Sequence, residues 1–191
     1  MGSGCFANSR LQNVVIGDKL TEISSGCFEG CSNLTDIHIG SSVTTIGQSA
    51  FSGCSKLESI SIPGSVTNVG EVYSCSSSNN NPNKDPSRYI SVFKGCTSLK
   101  KVRFEDGANS VALGSTYYAG SSIAIAGVDI EGRGLFADCP LEEVYLGRKI
   151  EYQSYSSNYS FSLYPFRYGV SAFFNQTKLK KGVKPKLRCI C

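Results

Sequence analysis

The sequence predicts one stacked solenoid of short β-strands, and three observations carry that prediction. An eight-residue phrase recurs, at a spacing of 23 in its first full copies; an alternating apolar segment follows each copy; and glycine or proline-glycine comes next at a fixed place. A unit of 23 residues cannot bury its one apolar edge alone, so it stacks on copies of itself and the stacked side chains become a continuous core.

The phrase is Cys27-Phe28-Glu29-Gly30-Cys31-Ser32-Asn33-Leu34. It returns as Ala50-Phe51-Ser52-Gly53-Cys54 up to Leu57, as Val92-Phe93-Lys94-Gly95-Cys96 up to Leu99, and one residue shorter as Leu135-Phe136-Ala137-Asp138-Cys139 up to Leu141. Cys5-Phe6 to Leu11 is another shortened copy, and Ala172-Phe173 to Leu179 is a degraded one. After each anchor leucine comes an apolar pair in alternation: Val14/Ile16, Ile37/Ile39, Ile60/Ile62, Val102/Phe104 and Val144/Leu146. Alternation with period two reads as a strand with one face buried. A second apolar pair follows at Leu20/Ile23, Val43/Ile46 and Val66/Val69, with Gly17, Gly40, Pro63-Gly64 and Gly147 supplying the bend.

The repeat is interrupted. Anchor-to-anchor distances grow from 23 to 42 for Leu57 to Leu99, 42 for Leu99 to Leu141 and 38 for Leu141 to Leu179. The insertions fall at about 71–90, 106–133 and 151–168, and they are expected to leave one side of the stack. The first is rich in Ser, Asn and Pro and reads as a mobile loop. The second contains an apolar stretch, Ile123 to Val128, that reads as an added strand. The third carries Tyr152, Tyr155, Tyr159, Tyr164 and Tyr168 among serines. Two readings stand for those tyrosines: a binding loop, or a cover for the solenoid's apolar flank. The repeats occupy 5–179 as one domain, and 180–191 is a basic tail.

The phrase L-x-x-I-x-I-x-x-x-V-T-x-I-G-x-x-A-F-x-G-C-x-x resembles the BspA-like subclass of leucine-rich repeats. That resemblance implies an α/β, β-dominated, right-handed solenoid. A concave parallel sheet of about five to six short strands would face short strands, turns or helical pieces on the convex side. Members of the family are typically surface or secreted proteins of bacteria and of some parasitic protists, so it also implies binding or adhesion at a cell surface.

Charge excludes one class of partner. Six of the 19 basic residues, from Lys178 to Arg188, crowd the C-terminus, and the remaining 13 face 15 acids, leaving the solenoid at about −2. Nucleic acid is therefore not an expected partner. No apolar run approaches the ~18 residues of a membrane span. Met1 to Phe6 has neither a basic nor an apolar export region, which keeps a cytoplasmic location open beside the cell surface. The end Cys189-Ile190-Cys191 after a lysine-rich stretch is similar to the doubly prenylated ends of small GTPases, so membrane association is expected only if those cysteines are lipidated. A solvated basic tail or a truncated further repeat is the alternative.

No catalytic, metal or cofactor site is expected. His38 is the sole histidine, neither a G-x-S-x-G nucleophile elbow nor a Cys/His arrangement accompanies it, and no phosphate-cradling motif is present. Cys31, Cys54, Cys96 and Cys139 share one repeat position and read as buried free thiols. Partner-binding candidates come from strand alternation, which points Asp36, His38, Lys101, Arg103, Glu143 and Tyr145 away from the core on the concave face. Arg103 and Tyr145 share one repeat position on consecutive strands and are expected side by side, with Lys101 and Glu143 alongside. The function these features support is a non-catalytic binding or adhesion module that recognises a protein or glycan, with a host or extracellular matrix protein as the expected partner. The alternative is an intracellular structural or adaptor scaffold.

Overall fold

Each described copy of the repeat folds into one turn of a stack, and the chain passes the same landmarks in the same order in each. The computed structural model describes residues 1–70, 73–76, 91–113, 116–119, 135–136, 138–152 and 168–169. On the anchor-leucine face run β1 (Asn13–Ile16), β3 (Asp36–Ile39), β5 (Ser59–Ile62), β8 (Lys101–Phe104) and β11 (Glu143–Leu146). On a second face run β2 (Glu22–Ile23), β4 (Thr45–Ile46), β6 (Asn68–Val69), β9 (Val111–Leu113) and β12 (Ile150–Tyr152). All pairings within these two sets are parallel.

The strands form because alternation gives each one a dry side. β3, β5 and β8 each bury their second and fourth residues and expose or half-expose the other two. The core they line is one cluster running from Ile16 to Val144. At its centre a file of rings, Phe6, Phe28, Phe51, Phe93 and Phe136, stacks with planes within 9° of parallel and centroids 5.0–5.6 Å apart.

The expected α component does not occur among the described residues, which contain no helix. The Phe-x-Gly-Cys phrase explains this. Its third position has positive φ in every described turn: Asn8, Gly30, Gly53, Gly95 and Asp138 lie between 58° and 75°. A right-handed helix cannot continue through a residue held there, and glycine, asparagine and aspartate are the types that tolerate it. The backbone groups are satisfied another way. Cys27, Glu29 and Cys31 amides donate locally to the carbonyls of Ser24, Gly26 and Phe28, while the intervening Gly26, Phe28 and Gly30 amides donate to Gln48, Ala50 and Ser52 in the next turn.

The two faces differ in continuity. The second face is one five-stranded sheet in the order β12-β9-β6-β4-β2. The anchor face is split into β1-β3 and β11-β8-β5, so β3 and β5 are neighbours without a hydrogen-bonded ladder. Glycines between the faces act through close approach: a Cβ at Gly40 would stand 2.6 Å from the Ile16 carbonyl oxygen, and one at Gly147 2.6 Å from the Asp106 amide nitrogen.

The insertions contribute a fourth sheet, in the order β13-β10-β7, from β7 (Tyr73–Ser76), β10 (Thr116–Ala119) and β13 (Tyr168–Gly169). β7 and β10 are parallel, and β13 runs antiparallel to β10. The start of the first insertion, expected as a mobile loop, is therefore a strand. In the second insertion the described strand is Thr116–Ala119, and the stretch Ile123 to Val128 lies outside the described residues. So do the copy at Ala172 to Leu179, most of the tyrosine-rich insertion and the tail. No helix among the described residues is long and apolar enough to cross a membrane.

Candidate functional site

Register places four of the six predicted surface residues in two columns. Glu143 lies opposite Lys101 and Tyr145 opposite Arg103 on adjacent strands. Lys101 Nζ stands 3.4 Å from Glu143 Oε2, an ion pair with both side chains 66% exposed. Such a pair contributes at most about 1 kcal/mol, because water screens it. Beside it the Arg103 guanidinium carbon lies 3.8 Å from the centre of the Tyr145 ring, a cation–π contact contributing about 0.5–1 kcal/mol at an exposed site.

Tyr145 is held from the far side. Its hydroxyl donates to both carboxylate oxygens of Asp106, at 3.2 and 3.3 Å, just beyond the end of β8. Arg103, Tyr145 and Asp106 thus form a chain of contacts that sets a guanidinium over an aromatic face. Ser61, next along that column from Arg103, donates its hydroxyl to Glu105 Oε1 at 2.6 Å.

Asp36 and His38 are exposed on β3, opposite Asn13 and Val15 of β1. They belong to the other half of the split face, so the structure brings together four of the six candidates and leaves these two apart. Near them Asp18 accepts from the Ser41 amide at 2.7 Å and the Ser41 hydroxyl at 2.9 Å. Those two bonds hold its carboxyl below the usual carboxylate range, with a smaller contribution from His38.

Sequence reasoning missed Asp106 and Arg148. Arg148 is 5% exposed and donates to the carbonyls of Gly64 at 2.6 Å and Pro63 at 2.8 Å, reaching from the fifth turn to the third. Burial lowers its pKa and the nearby Glu105 carboxylate opposes that shift. Both stand seven residues after an anchor leucine, a position that Asp18, Ser41 and Gly64 hold in the first three turns, so the residue type varies there and periodicity does not single them out.

The cysteine column is an interior ladder. Cys31, Cys54, Cys96 and Cys139 are buried free thiols, and each donates to the carbonyl of a phenylalanine in the preceding turn: Phe6, Phe28, Phe51 and Phe93, at 3.0–3.2 Å. Burial pushes the Cys54 thiol up, and neighbouring thiols add to the shift. For Cys96 the hydrogen bond with Cys139 leads and burial follows. Among the described residues no group of three or more His, Cys, Asp or Glu could hold a metal ion.

Turns of recurring length, a filled interior and outward residues in straight columns define a leucine-rich-repeat protein. The BspA type leucine rich repeat region matches residues 1–124 in six copies, and the chain belongs to that family. Leucine-rich repeats are generally non-catalytic and generally bind proteins. No curated protein and no solved structure matches the chain.

Proposed function

We propose that this chain is a non-catalytic recognition module that binds a protein partner on its anchor-strand face. In this reading the stack is a right-handed superhelix and that face is its concave side. The partner is a host or extracellular matrix protein met at a cell surface. The observation that carries the reading is the Arg103–Tyr145–Asp106 arrangement, with Lys101 and Glu143 in the next column. An arginine and a tyrosine already fixed in place lose little freedom on binding, and these two residue types supply a disproportionate share of interface energy. Asp36 and His38 extend the same surface toward the first turns.

The test begins by measuring binding of the full chain to immobilised matrix proteins. For any partner found, Arg103→Ala combined with Tyr145→Ala is expected to weaken affinity by about 2 kcal/mol or more, roughly 30-fold in Kd, with an almost unchanged melting temperature. Unchanged affinity in the double variant overturns the choice of face.

A further inference from the structure

We propose that Cys5 and Cys27 are a redox-active pair that closes into a disulfide across the first two turns, with a low-molecular-weight disulfide as oxidant. Their sulfurs lie 3.2 Å apart. The backbone sets them there: the Gly4 amide donates to the Ser25 carbonyl at 3.0 Å and the Phe6 amide to the Cys27 carbonyl at 2.9 Å, so the two cysteines lie on adjacent hydrogen-bonded segments. Adjacent segments of this kind run ~4.8 Å apart, inside the range of Cα separations that a disulfide accepts.

Access separates this pair from the other cysteines whose burial is described. Cys5 is exposed and Cys27 is buried, whereas Cys96 and Cys139, which also meet, are both buried and closed to an oxidant. The same asymmetry assigns the order of steps. Burial, aided by the Cys5 thiol, pushes the Cys27 thiol up to about 12, so it stays protonated at neutral pH and Cys5 is the first nucleophile. The Cys5 thiolate attacks the small disulfide R–S–S–R, forming a mixed disulfide and releasing one R–S⁻, which takes up the Cys5 proton from solvent. Cys27 Sγ then displaces the second R–S⁻ from Cys5 and gives it the Cys27 proton. Two electrons have passed from the cysteine pair to the oxidant, and two R–SH are the products.

The bond would fall where the stack is least covered. Phe6, 42% exposed, and Val15, 78% exposed, are the exposed large hydrophobic residues among those described, and both belong to the first turn. A covalent tie from that turn to the second restrains it where burial holds it least.

The experiment equilibrates the full chain in glutathione buffers of increasing oxidising poise, blocks free thiols by alkylation and maps the peptides by mass spectrometry. The expected result is a Cys5–Cys27 linked peptide as the first oxidised product, absent in Cys5→Ser and in Cys27→Ala. The alanine variant is expected to fold, since Ala50 fills the same repeat position fully buried in the third turn; circular dichroism checks this. Cys5 retained as a stable glutathione adduct beside a free Cys27, or joined to any other cysteine, overturns the proposal.

Discussion

At the scale of single residues the stack is held by columns in which one side chain does the same work in every turn. Phe51 is fully buried and stacks on Phe28 and Phe93, each at 5.6 Å, so its ring is packed on both faces by identical neighbours. Phe51→Ala is expected to cost about 3–5 kcal/mol, because neighbouring turns fixed at the strand spacing cannot collapse into the cavity. Phe6→Ala, with one stacked neighbour and a partly solvated ring, is expected to cost less than half of that. Equal losses for the two, measured by urea denaturation, would contradict the column. The phenylalanine, cysteine and glycine columns were legible in the sequence because each recurs, and recurrence turns a weak local preference into a pattern. Gly30, Gly53 and Gly95 even account for Asn8 and Asp138, the residues that replace glycine where φ is positive. Asp106 and Arg148 hold a repeat position where the residue type varies from turn to turn, and they contact residues 39 to 85 positions away, so no local pattern indicated those contacts.

At the scale of elements, strands that recur behind an anchor leucine were readable and strands outside that frame were missed. Ile37/Ile39 and Val102/Phe104 are buried while Asp36/His38 and Lys101/Arg103 are exposed, which is period two written in the chain. β7, Tyr-Ser-Cys-Ser, alternates but follows no anchor leucine, and β10, Thr-Tyr-Tyr-Ala, neither alternates nor follows one. Their strand character comes from pairing across more than 40 residues, in register from Tyr73↔Thr116 to Ser76↔Ala119. This arrangement gives β10 the central position, with β7 on one side and β13 on the other. Tyr118, opposite Cys75 and Tyr168, is in the middle of it. Tyr118→Pro removes a ladder donor from a central strand and is expected to abolish amide protection at 73–76 and 168–169. The main melting transition should move by no more than ~4 °C, the equivalent of about 1 kcal/mol in a chain of this size, because the phenylalanine file lies in the turns of the repeat, outside this sheet. Loss of the whole transition would show that the insertion sheet is required by the repeats.

At the scale of the whole molecule, a stack whose turns touch mainly their neighbours has a stability that is close to a sum over interfaces, and it divides at the weakest one. The interface between the second and third turns is weakest on this reckoning. It keeps the β4–β6 ladder, the Phe28–Phe51 stack and the bond from Cys54 to the Phe28 carbonyl. On the anchor face, however, β3 and β5 share no ladder, whereas β1–β3, β5–β8 and β8–β11 do. Each ladder bond contributes about 1 kcal/mol net, so the missing set removes several kcal/mol from one interface alone. The third to fifth turns are further tied together by Arg148, which crosses from the fifth turn to the carbonyls of Pro63 and Gly64 in the third. Partial unfolding is therefore expected to release the first two turns together while the remaining three stay folded. Native-state hydrogen exchange in low denaturant measures this directly: amides of β1 and β3 should share one opening free energy, below that of β5 and β8. Simple fraying from the end predicts a different order, with β1 opening most easily, β3 less so and β5 less again. A graded series of that kind would mean that the split in the anchor sheet has no energetic weight, while a step between Ile39 and Ser59 would make it the boundary between two cooperative units.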